Sequence, residues 1–172
     1  MTRYGPMFGP DITFLGVDRC TIDEPETYAG ADIVIMGAPF DGGTSYRAGA
    51  RLGPQAIRST DYLPHDGSRP SLALRVDGLQ DLRVLDAGDV EMFSGDAERS
   101  CRDLEAAVTT VAQSGAIPLI LGGDHTVTWP DVTGVARAHG FGRVSIIHFD
   151  AHADTGDIEF GSLYGHGQPM RR

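Results

Sequence analysis

Two short apolar runs, each followed by acidic residues and histidine, constrain the fold of this 172-residue chain most strongly. Residues 118–121 lead into the sequence GGDH, which ends at His125, and residues 144–147 lead into DAHAD at residues 150–154. Neighbouring parallel strands end at the same edge of a sheet, so these side chains should converge on one point. Imidazole and carboxylate ligands together suit Mn²⁺, Fe²⁺, Co²⁺, Ni²⁺ or Zn²⁺, and the pattern therefore predicts a metal site.

Strand and helix patterns alternate from residue 31 onward. The predicted strands are residues 32–37, 82–86, 117–121 and 143–149. The predicted helices begin near Pro54, cover about 97–114 and run from Thr126 to about Ala138. Asp96 and Gly115 are expected to cap the middle helix, and Gly140 should close the last one. This order predicts βαβ units and an α/β fold with a mostly parallel sheet.

The chain shows no repeat, linker or low-complexity tract. Residues 1–30 are rich in Gly, Pro and Asp without a clear period, and they are interpreted as an N-terminal arm or surface segment. Residues 31–172 are interpreted as part of a single domain.

Composition narrows the classes of partner and compartment. An apolar content of 41% and a charged content of 22% are ordinary for a soluble globular protein. The net charge of −10 argues against nucleic acid as a partner, because it repels phosphate backbones. No apolar run approaches the roughly 20 residues of a membrane span. The N-terminus lacks a signal peptide, and Cys20 and Cys101 form no disulfide framework, so a cytoplasmic location is expected. Cys101 is expected in the core.

The remaining candidate residues leave alternatives open. Two glycines before Asp124 let the backbone turn tightly and approach a ligand. Asp124 either orients His125 or starts the following helix. His148, inside the fourth predicted strand, is interpreted as a buried, hydrogen-bonded residue and not a ligand. His166 lies between glycines in a predicted loop and has the pKa range for proton transfer.

Several motifs in order resemble one family of amidinohydrolases, the arginase and agmatinase family or ureohydrolases. The matching stretches are residues 37–41 (GAPFD), 47–58 (RAGARLGPQAIR), 122–125 (GGDH), 149–154 (FDAHAD) and 165–167 (GHG). The order and spacing of several specific motifs carry this resemblance, which extends over residues 37–167.

The resemblance implies a three-layer α/β/α fold and a site for two Mn²⁺ ions. By that likeness His125 binds one ion, His152 binds the other, Asp150 bridges both and Asp154 binds the first. His166 occupies the position of a histidine that assists proton transfer or contacts the substrate. The implied reaction is hydrolysis of a guanidino group to urea and an amine, in a protein that forms homo-oligomers.

The substrate implied is a small, cationic guanidino compound. Arginases place an Asn two residues beyond the last Asp of the DAHAD-type motif, where this chain has Gly156. The chain therefore looks more like agmatinases and guanidino acid hydrolases than like arginases. Agmatine and a guanidino acid such as 4-guanidinobutyrate remain equal candidates.

The resemblance also implies a C-terminal part beyond Arg172, because family members run to roughly 300 residues. That part is expected to carry the two remaining metal ligands. The alternative is a truncated, inactive fragment that acts at most as a metal-binding or association module. A deacetylase-like metallohydrolase of related fold is a third, more distant interpretation.

Overall fold

The computed structural model describes residues 12–60 and 71–172. The first eleven residues of the predicted arm lie outside the described residues. The strands are β1 (Ile33–Ala38), β2 (Val84–Asp89) and β3 (Ile117–Gly122). The helices are α1 (Gly53–Ser59), α2 (Gly78–Asp81), α3 (Ala97–Gln113) and α4 (Thr128–His139).

The three strands form a parallel sheet in the order β2-β1-β3. Ile33 of β1 lies opposite Val84 on one side and Ile117 on the other. The central strand, β1, is almost wholly buried, as expected for a parallel strand covered on both faces. The sequence-based prediction of a parallel α/β fold is confirmed.

Helices cover both faces of the sheet, which gives the three layers that the resemblance implies. Val34 and Met36 of β1 join the hydrophobic core that contains Leu104 and Val108 of α3. Successive strand residues point to opposite faces. On the other face, a Cβ added to Gly37 would lie 3.0 Å from the Cβ of Pro54 at the start of α1.

A buried ion cluster joins α1 to β2. Arg58 donates from Nε and Nη2 to the two carboxylate oxygens of Asp86, at 2.9 Å each, and from Nη1 to Asp89 at 2.5 Å. The Asp86 carboxylate also accepts the backbone N–H groups of Phe14 and Gly88. A buried carboxylate with this many donors stays charged at little cost, so the cluster fixes α1 against the sheet.

The predicted caps of α3 and α4 are confirmed. Asp96 accepts the N–H of Arg99 at 2.9 Å, and Gly115 follows α3 with a φ of +92°. Gly140 follows α4 with a φ of +103°. Cys101 is buried, which confirms its predicted place in the core. Burial raises the pKa of its thiol to about 12.

The fourth predicted strand, residues 143–149, is not formed. Residues 144–150 carry no regular secondary structure. Ile147 is 83% exposed and Phe149 94% exposed. A strand requires backbone hydrogen bonds to a neighbour and a packed face for its side chains; this segment pairs with no strand of the described residues, and its apolar side chains are exposed.

The described end of the predicted arm is not confined to the surface. Cys20, Ile22 and Tyr28 belong to the buried core, and the Tyr28 hydroxyl donates to the carbonyl of Ile22. Residues 20–28 thus cover the sheet, while the domain boundary at residue 30 stays a prediction. Within the described ranges, no helix combines the length and apolar content that a membrane span requires.

Candidate metal centre

The loop after β3 is held against the loop after β1 by backbone hydrogen bonds. The N–H of Gly123 donates to Ala38 at 3.2 Å, and the N–H of Asp124 donates to Phe40 at 2.8 Å. A Cβ on Gly123 would lie only 2.3 Å from the Phe40 carbonyl oxygen. Glycine at position 123 therefore permits the close contact between two loops, and the approach of this backbone to a ligand stays a prediction.

Asp124 acts as a helix-start carboxylate. One oxygen accepts the N–H of Thr126 at 2.8 Å, which caps the turn that leads into α4. The other oxygen accepts the N–H of Gly43 at 2.8 Å and faces the Thr44 hydroxyl at 3.3 Å. Of the two open alternatives, the structure supports the helix-start role, and it adds a tie to the loop at residues 41–51.

That loop is itself anchored by a buried carboxylate. Asp41 accepts Nε of Arg51 at 2.6 Å and the N–H of Gly49 at 2.8 Å. The Arg51 hydrogen bond is the largest of the effects that lower the pKa of Asp41. The loop therefore presents Thr44 and Ser45 at a fixed place beside the two histidine-bearing segments.

Three of the predicted ligand residues meet at the carboxyl end of β3. His125 Nδ1 lies 2.5 Å from Asp154 Oδ2 and 3.6 Å from Asp150 Oδ2. The side chains are partly buried, with exposed fractions of 22%, 12% and 27%. Asp154 has a φ of +46°, a left-handed conformation that is uncommon outside glycine and is often found at functional sites.

His148 joins this cluster, which sequence reasoning missed. Its Nε2 lies 3.1 Å from Asp150 Oδ2, and its ring stacks on that of His125 with centroids 5.0 Å apart. Ligand atoms of His125, His148 and Asp150 all lie within 4.8 Å of one another. The signal was the two-residue spacing to Asp150, which places both side chains on one side of an extended segment. The predicted hydrogen bond of His148 is confirmed, whereas full burial is not.

His152 is not brought into the cluster. Its ring is 83% exposed, and Nδ1 lies 3.9 Å from Asp150 Oδ1, beyond hydrogen-bond distance. Its backbone N–H does contact the site, because it donates to Asp150 Oδ1 at 3.0 Å. This bond is the largest of the effects that lower the pKa of Asp150, ahead of the contact with His148.

The residues present fit a divalent metal ion. Ligand atoms of His125, His148 and Asp150 converge, Asp154 contacts His125, and imidazole with carboxylate donors matches a borderline transition metal. A cation between His125 and Asp154 would replace the hydrogen bond that now joins them. The assignment of individual ligands stays a prediction.

His166 lines the same cavity as His125, Asp150 and Asp154. Its Nδ1 is 2.7 Å from the Gly43 carbonyl oxygen, which can only accept, so Nδ1 carries the proton. The other ring nitrogen, Nε2, lies 3.5 Å from the Ser45 hydroxyl. The backbone N–H of His166 also donates to the Gly43 carbonyl, and this second bond fixes the ring against the loop.

The segment around His166 is held from inside by Gln168. Its side chain is 1% exposed, accepts the N–H of Gly165 at 2.8 Å and donates to the Ser162 carbonyl at 2.9 Å. A bond from the Gly156 N–H to the Gly167 carbonyl ties the segment to the end of the DAHAD motif. His125, Asp150, Asp154 and His166 line one open cavity of about 1150 Å³.

Comparison with known proteins identifies the family. Residues 31–172 match the model of the arginase family. The chain belongs to this family. It is 40% identical over 148 residues to the mitochondrial guanidino acid hydrolase of Homo sapiens and 40% identical over 143 residues to the mitochondrial agmatinase of Gallus gallus. Each match covers 83% of the chain.

A solved relative supports the same conclusion at the level of structure. The formiminoglutamase of Trypanosoma cruzi, crystallised with Mn²⁺, superposes with a TM-score of 0.70 at 31% identity. The match covers 90% of this chain and 52% of that one. The chain also spans only 39% and 41% of the human and chicken relatives, so the matches concern about half of an arginase-family protein.

Proposed function

We propose that the protein is a manganese-dependent amidinohydrolase that converts a small guanidino compound, agmatine or a guanidino acid such as 4-guanidinobutyrate, into urea and an amine. The convergence of His125, Asp150 and Asp154 in one cavity with His166 carries this proposal. Family membership supports it, since relatives at 40% identity are named for hydrolysis of guanidino compounds.

The four proposed ligands are His125, Asp150, His152 and Asp154. Asp150 would be suited to hold two ions, because one of its oxygens faces His125 and the other faces His152. His152 would have to turn its exposed ring toward Asp150 to bind. Two bound Mn²⁺ ions would lower the pKa of a shared water and supply hydroxide near neutral pH.

His166 is proposed to move the proton that the reaction requires. The amine leaves the guanidino carbon readily only when it is protonated. With Nδ1 held by the Gly43 carbonyl, Nε2 is the nitrogen that can take up a proton from the cavity and donate it to the amine. The Gln168 side chain holds the segment that carries His166, so Nε2 stays in place during the reaction.

Urea release tests the proposal. The natural protein that contains residues 1–172 is loaded with Mn²⁺. Urea release is then assayed with agmatine, 4-guanidinobutyrate, 3-guanidinopropionate and arginine as substrates. Urea is expected from agmatine or a guanidino acid and not from arginine, and Asp150→Asn should abolish it. Absence of urea with all four compounds would contradict the proposal.

A second candidate role, an inactive association module, is favoured by the apolar surface beside β3. Ile117 and Leu119 of β3 are 63% and 39% exposed, and Phe149 is 94% exposed. Strand edges and apolar surface of this kind promote association. Sedimentation of the 172-residue chain distinguishes the roles: assembly without urea release would favour the module.

The remaining sequence-based predictions concern partners and location. Homo-oligomer formation, the exclusion of nucleic acid and membranes, and a cytoplasmic location stay predictions. The two relatives described above are both named as mitochondrial proteins, so fractionation of the source cells is the direct test of location.

A further inference from the structure

Glu159 is an acidic residue of the same cavity that the proposed metal centre and proton transfer do not use. It lines the cavity together with Asp154 and His166 and is partly buried. Among residues 12–60 and 71–172, no side chain or N–H group pairs with its carboxylate. An unpaired carboxylate at the wall of a substrate cavity is available to a cationic ligand.

A tight turn fixes the direction of this side chain. The N–H of Glu159 donates to the Ser162 carbonyl at 3.2 Å, and the N–H of Ser162 donates back at 2.9 Å. Phe160 and Gly161 between them have φ values of +52° and +77°. Two consecutive left-handed residues closed by such a pair are typical of a type I′ turn, which strongly restricts the residues that flank it.

Three glycines make room for the carboxylate. A Cβ added to Gly156 or Gly167 would lie 2.8 Å or 2.6 Å from a Glu159 carboxylate oxygen. A Cβ on Gly165 would lie 3.4 Å from the other oxygen. We call Gly156, Gly165 and Gly167 the glycine cradle. Any larger residue at Gly156 or Gly167 would displace the carboxylate from the wall of the cavity.

The cradle lies next to the proposed metal ligands. Gly156 follows Asp154 by two residues, a separation of at most about 7 Å between Cα atoms. Gly167 follows His166 directly, and its carbonyl accepts the Gly156 N–H at 2.9 Å. The carboxylate therefore lies within the reach of a small molecule whose other end is at the metal centre.

We propose that Glu159 binds the ammonium end of a guanidino amine and makes the enzyme selective for such amines over guanidino acids. This inference rests on the proposed function and names its substrate class. A carboxylate attracts an ammonium group and repels a carboxylate at the same place, so a single residue acts on both substrates in opposite directions.

Arg47 is the cation in the described lining of the cavity that could favour the opposite class. Arg47 is exposed, and its guanidinium lies 5.1 Å from the ring centroid of the exposed Tyr46. Solvent screens an exposed charge of this kind more strongly than a partly buried one. The Glu159 carboxylate is held in the cradle, so it should dominate selectivity.

The test compares kcat/KM for agmatine with kcat/KM for 4-guanidinobutyrate and takes the ratio of the two. Both are measured on the Mn²⁺-loaded natural protein that contains residues 1–172. The wild type should favour agmatine. Glu159→Gln keeps the shape and should lower the ratio by about tenfold or more, the size expected for a lost charged hydrogen bond. Asp157→Asn is the control, because it removes the same charge from a 60% exposed residue outside the cavity and should leave the ratio unchanged.

The outcomes separate this inference from the proposed function. Urea release from both compounds with an unchanged ratio in Glu159→Gln would overturn the inference and leave the function standing. A wild type that prefers 4-guanidinobutyrate, or a ratio that responds to Arg47→Gln and not to Glu159→Gln, would also overturn it. Absence of urea with every guanidino compound would overturn both.

Discussion

His125 Nδ1 lies 2.5 Å from Asp154 Oδ2, although 29 residues separate them in the chain. The contact joins the loop after β3 to the end of the DAHAD motif. It forms without regular structure at residues 144–150, so the folded loops are sufficient to bring the two motifs together. If these two atoms are metal ligands, as proposed, a cation can enter between them with little rearrangement.

The two histidines that flank Asp150 should differ in their effect on metal binding. His152→Ala is expected to lower Mn²⁺ affinity by more than about a hundredfold, because it removes a proposed ligand. His148→Ala should lower it by only about tenfold, as expected for a residue that orients a ligand. Titration of both variants with Mn²⁺ measures the difference. The reverse order of effects would assign His148 as the ligand instead.

His166→Ala should lower kcat for urea release by about a hundredfold, in the range for loss of a positioned acid or base. Bound Mn²⁺ should not change, because the ring contacts Gly43 and Ser45 and none of the proposed ligands. Steady-state kinetics and metal content in one preparation measure both. An unchanged kcat would remove His166 from the mechanism.

Arg58→Met should destabilise the fold by about 3–5 kcal/mol, because it leaves Asp86 and Asp89 as buried carboxylates without their cation. Urea denaturation measures the free energy of unfolding. The matched control is Arg102→Met, which removes an exposed pair with Glu98 and should cost less than about 1 kcal/mol. Equal effects of the two changes would contradict the assigned role of the buried cluster.

Asp131, in the first turn of α4, should make stability depend on pH. Burial raises its pKa from 3.8 to about 6. The folded chain therefore binds this proton more tightly than the unfolded chain, and the stability that results is fully present below about pH 4 and lost as the pH rises through about 6.

Asp131→Asn imitates the protonated side chain and removes this dependence. The variant should match the wild type below about pH 4 and exceed its free energy of unfolding by about 3 kcal/mol at neutral pH, the value that corresponds to a pKa raised from 3.8 to about 6. Denaturation curves at both pH values measure the difference, with the exposed Asp103→Asn as the control for loss of a charge. A variant that is no more stable than the wild type at neutral pH would contradict the raised pKa.

Local patterns were sufficient to predict the parallel sheet and the capped helices from the sequence. Asp96 and Gly140 are caps whose chemistry acts within one turn, and residues 117–121 form a strand because β1 lies beside them. The segment at residues 143–149 has a similarly apolar pattern but pairs with no strand in the described part of the chain, and the pattern alone does not show whether pairing occurs.

The details of the site depend on contacts between residues that are distant in the chain. Such contacts cannot be predicted from the local patterns of a single sequence. The stacking of His148 on His125 and the anchoring of His166 by Gly43 both join residues far apart in the chain. Likewise, Gly123 is required by the Phe40 carbonyl, a contact visible only once the loops are in place.

The most direct test of the metal centre is the amount of Mn²⁺ that stays bound to the 172-residue chain after gel filtration, with Asp150→Asn measured alongside. At least one ion per chain is expected in the wild type, because His125, Asp150 and Asp154 already converge. Little or none is expected in the variant, which loses the central carboxylate. Equal Mn²⁺ in the two proteins, or none in either, would contradict the proposal that these residues form a metal centre.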